Sequence, residues 1–295
     1  MTTLRACDDG SDPGDSRPIG VFDSGVGGLT VARALMDLLP DERLLYVGDT
    51  ARGPYGPREL PEVRRFATEI IEWLAGQGAK LVVAACNTAT AALLEQDPPA
   101  FPVPVIGVVQ PAVVAAVRAT AVGRVGIVGT TGTIRSGAYE RAVAAVAPGI
   151  AVQAQACPRF VELAERGRTT DPDVRAVVAG YLAPLRRAGV DTVILGCTHY
   201  PLLTGVISHY MGPEVVLVSS AEETARTVFR TLVDDGLDAH APAVAPHRFT
   251  VSGDGVLFRS LATRFLGPRL ASVGDDAAIL QPEVNYGDVR REART

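Results

Sequence analysis

Short apolar runs that end in small or polar residues alternate along the chain with longer stretches whose apolar positions recur every three to four residues. The runs at 19–22, 44–48, 81–85, 105–109, 125–129, 151–156, 192–195, 215–218 and 249–251 predict strands. The stretches 29–39, 62–76, 112–120, 137–146, 173–188 and 221–236 carry the helical period. Strands alternating with helices predict an α/β protein with mostly parallel sheets. The strand runs are nearly continuous rather than alternating apolar and polar, which is the pattern of strands covered on both faces. Residues 1–17 and 278–295 are charged and aperiodic and predict unstructured tails.

The pattern repeats. IGVFDSG at 19–25 is a strand running into a turn of small residues, and VGIVGTT at 125–131 is another. The run at 82–88 ends in Cys86-Asn87-Thr88, and the run at 193–198 ends in Gly196-Cys197-Thr198. Asp23 precedes Cys86 by 63 residues, and Thr130 precedes Cys197 by 67. A true repeat implies two similar lobes that face each other, each offering one cysteine at a strand exit. Ligand sites favour such interfaces.

Composition narrows the chemistry. Of 295 residues, 47% are hydrophobic and 21% charged, enough apolar material for real cores and against intrinsic disorder. No apolar run reaches the roughly 18 residues of a membrane span, and the first 16 residues lack the apolar stretch of a secretory signal. These features predict a cytoplasmic protein with no membrane association. A net charge of −5 gives no reason to expect nucleic acid as a partner. Lys80 is the single lysine, against 27 arginines. It stands at the start of a predicted strand, whereas sites in such folds gather at strand exits, so a Schiff-base mechanism is excluded. The four cysteines, Cys7, Cys86, Cys157 and Cys197, form no C-x-x-C and have no histidine at metal-ligand spacing. Neither a metal nor a redox dithiol is expected, and the thiols act, if at all, as thiols or thiolates.

Three constellations carry chemistry. The first, DSGVGGLT at 23–30, follows a strand and opens a helix. Its glycines allow a tight turn with exposed N–H groups, suited to a carboxylate or phosphate. A dinucleotide site is the rival, with Asp49 ending the next strand as the ribose contact. G-x-G-x-x-G fails, however, because Thr30 replaces the last glycine, and Asp23 sets a negative charge where pyrophosphate must approach. The second is the polar loop GDTARGPYG at 48–56, at a strand exit. The third is the pair Cys86-Asn87-Thr88 and Cys197-Thr198-His199. Each cysteine ends an apolar run at an expected helix N-terminus, a place that lowers a thiol pKa from about 8.5. His199, two residues past Cys197, is placed to manage its proton, and Asp23 to do the same for Cys86 if the strand ends are adjacent. Two thiols with neither metal nor lysine suggest proton transfer at the two faces of one carbon. Backbone donors to the α-carboxylate in a closed site would stabilise the carbanion.

At this point the motifs resemble a known family, the cofactor-independent glutamate racemases of the aspartate/glutamate racemase superfamily. GVFDSGVGGLT at 20–30, GDTARGPYG at 48–56, ACNTA at 85–89, GTTGT at 129–133 and LGCTHYPLL at 195–203 carry the resemblance. It implies two Rossmann-like, doubly wound α/β domains with the site in the cleft between them: 18–111 completed by 223–270, and 112–222. It implies interconversion of L- and D-glutamate without cofactor, for peptidoglycan synthesis. Cys86 would act on D-glutamate and Cys197 on L-glutamate, with Asp23 and His199 assisting. Substrate contacts would come from Asp23, Ser24, Tyr55, Gly56, Asn87, Thr88, Thr130, Thr133 and Thr198. Glu165, in CPRFVELAERG at 157–167, matches a glutamate lining the family's site, which leaves Cys157 a structural cysteine. The family is usually apolar where Arg159 stands and has proline where Glu162 stands. A homodimer is the usual family state, and some members bind DNA gyrase, on which composition here is silent. Two other readings stand beside this one: an aspartate racemase of the same superfamily, whose members generally have Cys-Thr-Glu where this chain has Cys197-Thr198-His199, and a non-catalytic nucleotide-binding module.

Overall fold

The computed structural model describes residues 14–95, 100–243 and 245–267. Nine strands are present among them: β1 (Ile19–Asp23), β2 (Leu44–Gly48), β3 (Leu81–Ala84), β4 (Val105–Gly107), β5 (Arg124–Gly129), β6 (Ala151–Ala156), β7 (Thr192–Gly196), β8 (Val216–Ser219) and β9 (Arg248–Val251). The helices are α1 (Leu29–Leu38), α2 (Leu60–Gly76), α3 (Asn87–Leu93), α4 (Val109–Ala119), α5 (Thr131–Arg135) and α6 (Ala138–Val146). They continue with α7 (Arg159–Glu165), α8 (Pro172–Arg187), α9 (Thr204–Met211), α10 (Ser220–Asp234) and α11 (Gly255–Leu266). A 3-10 turn, Tyr200–Leu203, precedes α9.

The strands form two parallel sheets, in the orders β4-β3-β1-β2-β9 and β6-β5-β7-β8. Read from the other edge, the second runs β8-β7-β5-β6, the same order as β4-β3-β1-β2 in the first. The repeat seen in the sequence is therefore a repeat of topology, with β9 added to the first copy from the far end of the chain. Alternate residues of each central strand point to opposite faces, and both faces are covered. Ile19, Val21, Leu81 and Val83 pack under α1, α10 and α11, while Phe22, Val82 and Ala84 pack under α2 and α3. In the second sheet Val128, Val193 and Leu195 lie under α7, α8 and α9, and Val125, Ile127 and Ile194 under α4 and α6. Each fully buried Val, Leu or Phe contributes roughly 1.5–3 kcal/mol, so these four clusters fix the strand register. The register in turn puts the ends of β1 and β3 side by side, Phe22 against Ala84, and the ends of β5 and β7, Gly129 against Gly196.

The predicted strand at 105–109 ends at Gly107, because Val109 already begins α4. None of the six helical stretches read from the period covers α3, α5, α7, α9 or α11; the first four are at most eight residues long, too short for a helical period to stand out. Of the predicted tails, 1–13 and 278–295 lie outside the described residues. Residues 14–17 are tied down instead. Gly14 bridges Ala239, and Lys80 Nζ donates to the Asp15 carbonyl at 2.6 Å. Lys80 also pairs with Glu42 at 2.7 Å, fully buried at the start of β3. The single lysine thus has a structural partner, away from the strand exits. Among the described residues no helix is long and apolar enough to cross a membrane.

Candidate active site

Cys86 follows β3 and caps α3; Cys197 follows β7 and precedes the 3-10 turn. Both are buried and free thiols, and both open into one cavity of about 610 Å³ between the two sheets. Ser24, Tyr55, Gly56, Asn87, Thr88, Thr130, Glu165, Thr198 and His199 line the same cavity. Asp23 and Thr133 do not reach its wall and lie buried just behind it. Thr133 closes a triangle of hydroxyls with Thr88 and Thr130, with edges of 2.9, 3.0 and 3.1 Å, that joins the first half of the molecule to the second.

Around Cys197 the thiol lies 3.9 Å from His199 Nδ1, and His199 Nε2 lies 3.0 Å from Glu165 Oε1. Burial opposes a charge on His199. The adjacent Cys197 sulfur and the carboxylates of Glu165 and Asp23 outweigh it, and the imidazole is pushed up to about 10. Phe265 of α11 meets the imidazole edge-on at 5.3 Å between ring centres. Asp23 is raised by burial, an effect tempered by the His199 charge and by hydrogen bonds from the Gly28 and Gly25 amides and Thr198.

Around Cys86 the expectation of a lowered thiol is reversed. Burial first, and the negative charge of Asp23 next, push it up to about 12; the Ala89 amide of α3 and the Ser24 hydroxyl, 3.8 Å from the sulfur, pull the other way and lose. A helix N-terminus lowers a thiol pKa only where burial and a neighbouring anion do not oppose it.

The glycine turn also differs from the anion cradle that its sequence suggests. Asp23 Oδ2 takes the Gly25 amide at 2.9 Å, and the amides of Leu29, Thr30 and Val31 close tight turns onto Val26, Gly27 and Gly28. Gly27 and Gly28 serve close packing, while Gly25 has open space beside it. A Cβ on Gly27 would stand 2.3 Å from Thr198 Oγ1 and 2.4 Å from His199 Nδ1. The Asp23 turn and the Cys197 loop are therefore pressed together, with Thr198 Oγ1 3.4 Å from Asp23 Oδ1. Asp49, the ribose contact of the dinucleotide reading, faces inward: Arg52, Tyr55 and Ser252 all donate to its carboxylate. Tyr55, which lines the cavity, thus spends its hydroxyl on Asp49.

The wall also takes in residues outside the predicted substrate contacts, among them Val161 and Glu162 of α7 and Asp254, Leu257, Phe258 and Leu261 at α11. Arg264 of α11 donates to the Glu165 carbonyl at the end of α7, so these two helices meet at the cavity's mouth. Glu162, one of the departures from the family pattern, pairs with Arg166 at 2.9 Å. Cys157 is buried beneath Tyr200, whose hydroxyl donates to its carbonyl at 2.8 Å, and does not line the cavity.

Asp23, Cys86 and His199 all hold a proton more tightly when folded than their ordinary values allow. Through these three groups the folded protein binds more protons than the unfolded chain, and their contribution to stability falls as pH rises. For His199 the contribution is complete below about 6.5 and lost on passing through about 10; Cys86 adds to the loss above about 9. Thermal unfolding is expected to show a falling Tm between pH 7 and 10, at up to about 1.4 kcal/mol per pH unit for one proton. His199→Gln should flatten that slope. A Tm that rises with pH in this window would contradict the assignment of a protonated His199.

The model of the Asp/Glu/Hydantoin racemase family matches residues 29–239. The chain is 52% identical over 259 residues to the glutamate racemase of Corynebacterium diphtheriae, an alignment covering 88% of this chain and 97% of that one. Among solved structures it is similar to a glutamate racemase isoform from Bacillus anthracis, at 42% identity and TM-score 0.81 over 85% of this chain and 94% of that one. It is also similar to the Francisella tularensis glutamate racemase solved with D-glutamate, at 30% identity and TM-score 0.80 over 93% and 99% of the two chains.

Proposed function

The chain belongs to the Asp/Glu/Hydantoin racemase family, and from that premise we propose that it is a glutamate racemase whose two bases are Cys86 and Cys197. It interconverts L- and D-glutamate without a cofactor and supplies the D-enantiomer for peptidoglycan. The observation that carries the two-base reading is the pair of thiols at equivalent strand ends of two matching sheets, both open to one cavity.

The reaction balances between the two sulfurs. A thiolate takes the Cα proton from one face, the C–H electron pair moves toward the α-carboxylate, and the opposite thiol gives its proton to the other face. Thiol and thiolate have then changed places. With its pKa pushed up to about 12, Cys86 rests as the thiol, ready to deliver a proton to the carbanion formed from L-glutamate. To attack D-glutamate it must ionise, and the substrate's ammonium group, brought into a buried site, favours that ionisation. His199, held by Glu165, and Asp23 assist Cys197 and Cys86. The hydroxyls of Thr88, Thr130 and Thr198 suit carboxylates, with Thr133 behind them; Ser24, Tyr55, Gly56, Asn87 and Glu165 complete the contacts. Exclusion of water keeps the donors strong and the carbanion short-lived.

The two units are 18–111 with 223–270, and 112–222, a division supported by β9 joining the first sheet while the second holds β5–β8. The family resemblance supports a cytoplasmic homodimer.

The reaction is tested with pure L-glutamate, and separately L-aspartate, in D₂O without added cofactor, following the D-enantiomer and deuterium at Cα. D-glutamate carrying solvent deuterium is the expected result. Exchange into aspartate alone would keep the mechanism and change the substrate, and silence with both would overturn the reading.

A further inference from the structure

We propose that Tyr139 is a positioning residue, fixing the Asn87 side chain so that its amide oxygen receives the α-ammonium group of the substrate. This rests on the glutamate racemase reading above and adds to it a residue that none of the sequence motifs contains.

Tyr139 sits on α6, in the half of the molecule built on the second sheet, and its side chain is fully buried. Asn87 opens α3, in the other half, and lines the cavity. Asn87 Nδ2 donates to the Tyr139 hydroxyl at 2.7 Å across the boundary between the halves. Asn87 Oδ1 is buried and has no hydrogen-bond partner. A buried amide oxygen is costly to leave without a donor, and a cavity wall is where a ligand supplies one. The orientation matters. With its NH₂ turned to Tyr139, the atom left without a partner is the acceptor oxygen, so the amide suits an ammonium better than a carboxylate.

The ring of Tyr139 is placed as deliberately as its hydroxyl. A Cβ on Gly196 would stand 3.1 Å from Tyr139 Cε2, so the ring lies on the backbone immediately before Cys197. One side chain thus touches the residue after one cysteine and the residue before the other. It sets the Asn87 amide relative to both proposed bases, and the amino group of the substrate with it.

Tyr139→Phe keeps the ring on Gly196 and removes the hydroxyl alone. In steady-state kinetics the KM for both glutamate enantiomers should rise about tenfold while kcat stays within about threefold. Glutarate, which has both carboxylates and no amino group, should inhibit the variant with an unchanged Ki. In the Asn87→Ala background, Tyr139→Phe should add nothing further. An unchanged KM overturns the proposal, and so does a glutarate Ki that rises in step with it, which is what general loosening of the site would give. Should Tyr139→Phe not fold, Asn87→Ala decides alone: equal losses for glutamate and glutarate overturn the proposal. A wild-type protein that does not racemise glutamate fails the underlying reading, whereas an active enzyme indifferent to Tyr139→Phe fails this one only.

Discussion

Replacing Cys86 or Cys197 by serine is expected to lower glutamate racemisation by about 10³-fold or more, with the fold intact. A positioned acid or base contributes about 10²–10⁴-fold, and a serine hydroxyl ionises far too weakly to act as either. The two enantiomers have equal free energy in water, so the equilibrium constant is one and kcat/KM must fall equally in both directions, whichever cysteine is lost. Racemisation rates alone therefore cannot assign the cysteines to faces. Exchange can. In Cys86→Ser the surviving Cys197 still removes the proton from L-glutamate and returns a deuteron to the same face. L-glutamate should gain deuterium while D-glutamate stays inert, and Cys197→Ser should show the reverse. Proton NMR of Cα in D₂O, with chiral chromatography, measures both. Cys157→Ala is the internal control, since that thiol is buried against the Gln155 carbonyl and outside the cavity wall; its rate should match the wild type. Wild-type racemisation by either serine variant, or exchange into both enantiomers by both variants, would remove the two-base assignment.

The architecture was legible because it rests on a periodic signal. The bounds of β2 and β6 follow directly from their apolar runs, and the spacing of Asp23 and Cys86 against Thr130 and Cys197 anticipates two sheets with one strand order. Helix α11 was not assigned for the opposite reason. Its buried Phe258, Ala262 and Phe265 keep the helical period, but Val256 and Leu257 are exposed and blur the stripe. Leu257 lines the cavity, which explains an apolar residue on the outer side. What a residue touches was less legible than where it lies. Cys86 reads as a helix-capping thiol, yet its ionisation is governed by burial and by Asp23, 63 positions away in sequence. Gly27 reads as part of an anion-binding turn, yet its missing side chain makes room for Thr198 and His199. Tyr139 lies in no motif, and only the fold brings it to Asn87.

Asp49→Ala is expected to lower stability by about 3 kcal/mol. The Asp49 side chain is fully buried and serves three donors: Arg52 Nε at 2.6 Å, Ser252 Oγ at 2.7 Å and the Tyr55 hydroxyl. Without it the two hydroxyls lose a buried acceptor, and Arg52 loses one carboxylate while keeping Glu69 at 2.6 Å and its stacking over Phe66 at 4.2 Å. The cost lies at the low end for a broken buried pair because Arg52 retains that second carboxylate and is 22% exposed. A loss of this size should lower the Tm by roughly 5–10 °C. The damage should reach the reaction as well, since the loop that Asp49 organises carries Tyr55 and Gly56 to the cavity wall, where the Gly56 carbonyl accepts from the Gly132 amide of the other half at 2.8 Å. Freed from Asp49, that loop no longer holds its side of the cleft, and KM for both enantiomers should rise about tenfold, the worth of one lost charge-assisted hydrogen bond. Removing the exposed Arg226–Glu223 pair is the comparison, because surface ion pairs contribute about 0–1 kcal/mol. A Tm drop in Asp49→Ala no larger than in that surface variant would show that the loop is held by its packing on Phe66 rather than by the buried carboxylate.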